Sequence, residues 1–323
     1  MHAEEAGGSE EFERHRTALF GLAYRMLGSA EEAEDIVQDT YLRWHDRGGG
    51  HRRGDAEPVA APRAWLAKVA TNLCLNRLTS ARARRERYAG PWLPEPVPTG
   101  TGAGPDQGPL DPLDTAERRD SVALALLVLL ERLNPAERAV FVLREAFGYT
   151  HREVAEVLAV SEAHSRQLHR RARQRLGQVA ATRQVGAARP SGETDRTRGR
   201  ALVARFLAAA ERGDLAALEE TLAEDVTVWV DGGGRIRAAR RPVTGRSRVA
   251  HYLVGARRTT DLDLRITISE INGTPAGLAL AGSALVAVVV PETAPDGLVR
   301  AVRVIASPEK LRFAQKRLPP VTA

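Results

Sequence analysis

Between Ser161 and Leu176 the chain concentrates side chains that can read and hold an anionic polymer. His164, Ser165, Arg166, Gln167, His169, Arg170, Arg171, Arg173 and Arg175 alternate there with Leu168, Ala172 and Leu176 at helical spacing. Short polar groups near a helix N-terminus can reach the edges of DNA bases, and cations further along can meet phosphates. His164, Ser165, Arg166 and Gln167 suit the first task, with His169 beside them; Arg170, Arg171 and Arg173 suit the second. The alternative is a merely solvated arginine face, in a chain where arginine is common throughout.

Groups that could carry catalysis are scattered. Asp231, His251, Trp229 and Arg257 are the candidates for acid, base or pocket roles in the last third of the chain. Asp231 stands before three glycines, a place where Asp commonly starts a turn. His251, on a helix beside Tyr252 and Leu253, reads as structural. No pair of carboxylates has a convincing spacing, so no catalytic residue is assigned. Cys74 is the only cysteine, which excludes a disulfide framework and a cysteine metal site. No metal or cofactor is expected.

The elements that position the basic run are legible just upstream. Thr150 and Glu153 form a capping box, Val154, Ala155, Val157 and Leu158 give an inner face, Ala159-Val160 makes a tight turn and Ser161 caps the next helix. Two helices joined by so short a turn form a helix-turn-helix. Nearer the N-terminus, residues 12–27 and 30–45 read as helices separated by Gly28 and capped by Ser29. Pro62 can open a third helix, from 64 to about 84, with Trp65, Leu66, Val69, Leu73 and Leu78 inside. Trp65 at this register is expected in the core rather than as a stacking platform for a base. Residues 46–62 have no period and are expected to be loop, and Gly90–Pro112 to be a Pro/Gly-rich linker with a stiff start. After a second linker, Gly186–Arg198, a helical start gives way to strands at Val226–Val230, Leu262–Ile271, Leu278–Val290 and Leu298–Ala306, an α+β pattern.

Composition sets outer bounds. The 323 residues carry a formal charge of +6, weakly favouring an acidic partner, and the charge is uneven. Residues 1–90 hold 14 basic and 14 acidic side chains, 91–125 hold 2 and 6, 126–180 hold 9 and 6, 181–200 hold 5 and 2, and 201–323 hold 17 and 13. The neutral first 90 residues argue against general coating of duplex DNA. Glu4, Glu5, Glu10 and Glu11 do not make a signal peptide, and the longest apolar stretch, Ala284–Val290, is far below the roughly 20 residues of a spanning helix. The expectation is a cytoplasmic protein without a membrane anchor.

The stretch Leu133–Leu176 resembles region 4 of the extracytoplasmic-function (ECF) sigma factors of the sigma-70 family. Phe12–Trp44, with Glu34-Asp35-Ile36-Val37-Gln38-Asp39-Thr40-Tyr41-Leu42, resembles their region 2, which Pro62–Leu66, Asn72 and Asn76-Arg77-Leu78 continue. Trp92-Leu93-Pro94-Glu95-Pro96 and Asp231-Gly232-Gly233-Gly234-Arg235 resemble motifs of a subgroup with a fused C-terminal SnoaL-like domain. Ser307-Pro308-Glu309-Lys310-Leu311 resembles that subgroup's Asn-Pro-Asp-Lys-Leu with two substitutions.

The resemblance implies a multidomain protein: two all-α helical domains, sigma region 2 and the helix-turn-helix region 4, then an α+β cone-shaped SnoaL-like domain. The expected boundaries are 1–90 for region 2, 91–118 for a linker, 119–180 for region 4, 181–199 for a second linker and 200–323 for the SnoaL-like domain. The implied partners are core RNA polymerase, through its β′ clamp helices and β flap, and promoter DNA. Asp35, Gln38 and Asp39 are implied to dock on the clamp helices. Asn72, Asn76 and Arg77 are implied to meet the opened minus-ten element, with Arg82, Arg84 and Arg85 on phosphates, and region 4 the minus-thirty-five duplex. Trp92, Leu93 and Pro94 form an apolar patch that needs a partner, which the Asp231–Arg235 turn is expected to supply as an interdomain contact. A small-molecule ligand of the C-terminal domain stays open. The alternative is a helix-turn-helix protein whose SnoaL-like domain is a working cyclase or epoxide-hydrolase-like enzyme. A plain DNA-binding enzyme has no use for an acidic docking helix at 35–41.

Overall fold

The computed structural model describes residues 2–47, 59–86, 88–99, 123–183, 193–236, 238–260, 262–294 and 296–318. It divides into two compact units, one built from residues 1–86 and 125–183, the other from 87–124 and 184–323.

The first unit is helical. Helix α1 (His2–Leu27) ends at Gly28, whose φ of 68° releases the chain, and Ser29 accepts the Glu32 amide to start α2 (Ala30–Asp46). Ala33, Ile36, Val37, Thr40 and Trp44 make the buried side of α2. The polar members are satisfied within the core: Thr40 donates to the Ile36 carbonyl (2.7 Å) and the Trp44 indole to that of Gly8 (2.8 Å). Helix α3 (Pro62–Glu86) buries Leu66, Ala67, Ala70, Cys74 and Leu78. Trp65, Val69 and Leu73 sit at its half-buried margin, with Trp65 against Trp44 at 5.6 Å between ring centres.

Helix α4 (Leu124–Leu130) leads to α5 (Pro135–Glu145), which Asn134 and Glu137 open with a reciprocal capping box. The expected Thr150–Glu153 box opens α6 (His151–Leu158). Ala159 then turns the chain at a left-handed φ of 53°, and α7 (Glu162–Arg183) follows. The packing of α5 on α7 is fixed at Glu137, which is 1 % exposed and accepts from Arg175 at 2.5 Å. Arg138, equally sequestered, donates to the Met26 carbonyl (2.7 Å) and to Glu131 (2.8 Å), so α5 is tied to the end of α1.

The second unit is α+β. Helices α8 (Glu193–Arg212) and α9 (Leu215–Thr221) precede β1 (Leu222–Asp231), β2 (Val243–Thr244), α10 (Arg246–Arg258), β3 (Leu264–Ile271), β4 (Thr274–Ala281), β5 (Ala284–Thr293), β6 (Val299–Ile305) and α11 (Pro308–Arg317). The sheet order is β2-β1-β6-β5-β4-β3, with β1 and β6 parallel and every other pair antiparallel. One sheet face carries Val226, Val228, Val230 and Val302 against Phe206, Leu207, Val249 and Val254 of α8 and α10. Gly277 packs closely there: a Cβ would lie 2.5 Å from the end of the Leu207 side chain, which would have to shift.

Three expectations need correction. The run Leu278–Val290 is not one strand but parts of β4 and β5, which turn at Gly282 (φ 59°) and pair Ala281 with Ala284. Strands β3 and β4 form a hairpin through Asn272-Gly273, both at positive φ, as Asn-Gly favours. Helix α11 lies beyond the last expected strand, although Pro308, Glu309 and the terminal Lys316-Arg317 are ordinary helix-end signals.

Replacing Arg138 by Ala removes its bonds to the Met26 carbonyl and to Glu131. A loss of about 2–4 kcal/mol is expected, read as a lower urea midpoint with unchanged helix content at low denaturant.

Candidate nucleic-acid interface and linker clasp

Helix α7 presents two kinds of side chain. His164, Gln167, Arg170, Arg171 and Arg173 are exposed, and the His164 amide is capped by the Ser161 hydroxyl at 3.2 Å. Arg166 is exposed too, leaning on Glu162 at 2.5 Å. Ser165 and His169 point the other way. Ser165 is fully buried with its hydroxyl 3.1 Å from His151 Nδ1, and His169 Nε2 lies 2.8 Å from Glu145. Both therefore leave the base-facing set. Positions 165, 168, 169, 172 and 176 follow one helical stripe, so their inward direction follows from the same period that placed Leu168, Ala172 and Leu176 inside. His151 packs against His169 at 5.5 Å between ring centres. Its pKa is held below the usual histidine range by burial first and then by the Arg144, His169 and Arg166 charges.

On α2, Asp35 and Gln38 are exposed and Asp39 half-buried; Leu42, one turn on, keeps 50 % of its surface in solvent. These positions share a helix face. Asn72 and Asn76 are exposed one turn apart on α3, while the half-buried Arg77 reaches Asp35 at 3.3 Å. Residues 48–58 of the expected loop, and the side chains of Arg82, Arg84 and Arg85, lie outside the described residues.

The linker motif is not an exposed patch. Residues 88–99 belong to the second unit, with Leu93 2 % exposed, Pro94, Glu95 and Pro96 buried, and Trp92 half-buried. Asp231, at the end of β1, holds it. One carboxylate oxygen accepts the Leu93 amide (2.8 Å) and the Lys310 ammonium (2.6 Å); the other accepts the Tyr88 hydroxyl (2.5 Å) and the Gly233 amide (3.1 Å). Lys310 also donates to the Leu93 carbonyl at 2.5 Å and lies 4.2 Å from the Trp92 ring centre and 4.7 Å from that of Tyr88. Burial and the bond to Asp231 push the Tyr88 phenol well above its ordinary pKa. Gly233 (φ 65°) passes so close to Ser307 that a Cβ would meet its Oγ at 2.5 Å. Gly232 is similarly crowded by the Ile236 carbonyl and Gly234 (φ 73°) lies against Ala89, while Arg235 pairs with Glu309 at 2.6 Å.

The far end of the segment is held by backbone and side-chain bonds to the β3–β4 hairpin. Val97 exchanges hydrogen bonds with Asn272 (2.8 and 3.1 Å), the Thr99 amide donates to the Glu270 carbonyl (3.0 Å), and Thr99 Oγ1 accepts from Gly273 (2.8 Å). Lys310, Tyr88 and Asn272 were absent from the expected contact set.

The remaining catalytic candidates are each engaged separately. Trp229 lies under the Arg303 guanidinium, which pairs with Glu292. His251 is exposed and bonded to the Ser247 carbonyl, and Arg257 reaches the Leu262 carbonyl. No cluster of three metal-ligating side chains occurs among the described residues.

Residues 12–84 match the family model of sigma-70 region 2, and residues 123–176 that of sigma-70 region 4. The ECF RNA polymerase sigma factor SigJ of Mycobacterium tuberculosis is 40 % identical over 245 residues, covering 76 % of this chain and 72 % of SigJ. This chain belongs to the ECF sigma factors. A probable ECF sigma factor of the same organism, SigI, is 31 % identical over 305 residues, 92 % of each chain. The crystal structure of SigJ superposes with a TM-score of 0.67 at 33 % identity, covering 94 % of this sigma factor and 98 % of SigJ. That span takes in both helical regions and the α+β unit, so the expected order holds: two all-α sigma regions followed by an α+β unit. The protein is a promoter-specificity subunit that directs transcription initiation with core RNA polymerase on promoter DNA, and the reading as a plain DNA-binding enzyme is not favoured. Among the described residues no helix is long and apolar enough to cross a membrane.

Two outcomes test this geometry. Asp231→Asn leaves the Lys310 charge without its counter-ion in a buried site, and a loss of about 3–5 kcal/mol is expected in urea unfolding of the α+β unit, with Trp92 fluorescence shifting as its environment opens. At His151 the folded pKa lies below the unfolded value near 6.5, so the unfolded state takes up its proton first as the pH falls. Stability of the helical unit is expected to decline from about pH 6.5 downward, and His151→Asn to flatten that decline in unfolding midpoints measured between pH 7.5 and 5.5.

Proposed function

We propose that this sigma factor divides its work among four surfaces. Asp35, Gln38 and Asp39 on α2 dock on the β′ clamp helices, with exposed Leu42 completing the same face. Asn72 and Asn76 on α3, with Arg77, meet the opened minus-ten strand, where polar groups and cations suit unstacked bases and their phosphates. On α7, His164, Arg166 and Gln167 face base edges of the minus-thirty-five duplex, and Arg170, Arg171 and Arg173 its phosphates; region 4 also meets the β flap. The fourth surface is the clasp of Trp92, Leu93 and Pro94 on Asp231–Arg235, through which the SnoaL-like unit modulates the other three. We place the sigma regions at 1–90 and 119–180 and the regulatory unit at 200–323, with the first part of the linker 91–118 held by that unit. The site of action is the cytoplasm, with polymerase and the chromosome.

The observation that carries this reading is the saturation of Asp231. Its carboxylate accepts four donors and is buried at the end of β1, so it is committed to holding the linker and not free to act as a general base. This supports a regulatory rather than a catalytic C-terminal unit.

The reading also requires region 2 and region 4 to part. The two promoter elements lie about 25 base pairs apart, roughly 85 Å of duplex at 3.4 Å per pair, whereas in the first unit Arg138 bonds the Met26 carbonyl directly.

Run-off transcription with purified core polymerase and a promoter library tests the division of roles. Promoter-specific transcripts are expected from the full chain. Joint replacement of Asp35 and Asp39 by Asn is expected to cut transcript yield at least tenfold by weakening polymerase binding. Leu93→Asp is expected to change yield while the selected promoters stay the same. Equal yields from all three proteins would sink this assignment.

A further inference from the structure

The charge of the second unit is segregated in a way that the sigma reading does not use. From Gly232 to Thr260 there are eight arginines (235, 237, 240, 241, 246, 248, 257 and 258) and no Asp or Glu; the rest of 201–323 holds nine basic and thirteen acidic residues. A unit of modest net charge thus carries +8 on one 29-residue stretch and −4 elsewhere.

The fold brings part of that stretch together. Gly245 donates to the Val226 carbonyl and β2 pairs with β1, which fixes the start of α10 against the sheet. The Ala239 amide donates to the Tyr252 hydroxyl at 3.2 Å, pinning the loop before β2 onto α10. Arg240 and Arg241 directly follow that pin, and Arg248 lies one helical turn before Tyr252. Arg248, His251 and Arg258 continue along an exposed stripe, about 15 Å long at 1.5 Å per residue. Arg235 is paired with Glu309, and Arg246 is bonded to the Leu222 carbonyl. Arg240, Arg241, Arg248 and Arg258 are exposed and make no ion pair among the described residues. Glu219 and Glu224 border a shallow hollow with Arg246, Ser247 and Arg248 at one edge of the face, without an ion pair to either arginine.

We infer that this face of the SnoaL-like unit, centred on Arg240, Arg241, Arg248 and Arg258, is a further DNA-contacting surface that holds the phosphate backbone of duplex DNA without reading its sequence. Arginine is suited to phosphate by its planar, multiply donating guanidinium. The partner is duplex rather than a lipid surface because the face is a row of cations with one exposed large apolar side chain, Ile236, and not an apolar stripe edged by cations. The factor's own partner on the promoter supplies such a duplex. Each phosphate neutralised adds about 0.9 to the slope of log affinity against log salt, so the surface has a quantitative signature.

The test is a salt titration of full-length protein on a fluorescent, promoter-free 30-base-pair duplex, read by anisotropy, so that it is independent of polymerase docking. The full chain is expected to bind at low salt. The joint replacement of Arg240, Arg241, Arg248 and Arg258 by Ala is expected to lower the slope by about 3.6 and the affinity at least tenfold, with an unchanged thermal midpoint. Replacing the same four by Lys is expected to restore the slope, which a structural role would not predict. Arg170, Arg171 and Arg173 replaced by Ala form a separate arm that reports on region 4 alone. The inference is overturned if the four-Ala protein keeps the parental slope, if the full chain does not bind at low salt, or if the four-Ala change abolishes binding to anionic phosphatidylserine vesicles while leaving duplex binding intact.

Discussion

The second unit depends on one buried ion pair. Taking a carboxylate and an ammonium out of water costs several kcal/mol each, and their attraction repays this only when the remaining valences are satisfied. Here they are. Asp231 accepts from Leu93, Lys310, Tyr88 and Gly233, and Lys310 donates to Asp231 and the Leu93 carbonyl beneath two aromatic rings. These groups come from three segments more than 70 residues apart in sequence, so the pair is satisfied only when the linker, the end of β1 and α11 are assembled together. Loss of any one partner exposes the charge cost of the others, which makes the assembly cooperative.

This cooperativity gives the fused unit a handle on the chain between the two sigma regions. The segment joining α3 to α4 runs from residue 87 to 123, and the second unit holds residues 88–99 by the ion pair at one end and by strand-like pairing to the β3–β4 hairpin at the other. Residues 100–122 lie outside the described residues. On the proposed function, a unit that grips this segment need not cover a promoter-binding surface to alter promoter engagement.

Local order was well written in the sequence. Capping residues, helical period and the short turn of the helix-turn-helix all point the same way because they are short-range effects, and the α+β pattern followed from alternation and breakers. What was not legible came from tertiary satisfaction. Ser165 and His169 look like base readers by residue type, yet their stripe position turns them onto His151 and Glu145. The Asp231–Arg235 turn was the expected partner of Trp92-Leu93-Pro94, but nothing local says that Lys310 of a C-terminal helix will join it. The division of one apolar run into β4 and β5 turned on a single glycine at positive φ.

One tertiary fact did leave a compositional trace. The chain has 47 Lys and Arg side chains, of which only Lys68, Lys310 and Lys316 are lysine. Lys310 stands in the motif Ser307–Leu311, at a place that favours lysine over arginine. At Lys310 the reason is geometric. A compact ammonium carries three donors, and Asp231, the Leu93 carbonyl and the faces of Trp92 and Tyr88 surround it closely. A planar guanidinium would bring five donors into a site with these few acceptors, leaving buried N–H groups unpaired at about 1–3 kcal/mol each. The rare lysine and the saturated aspartate are therefore the two halves of one constraint.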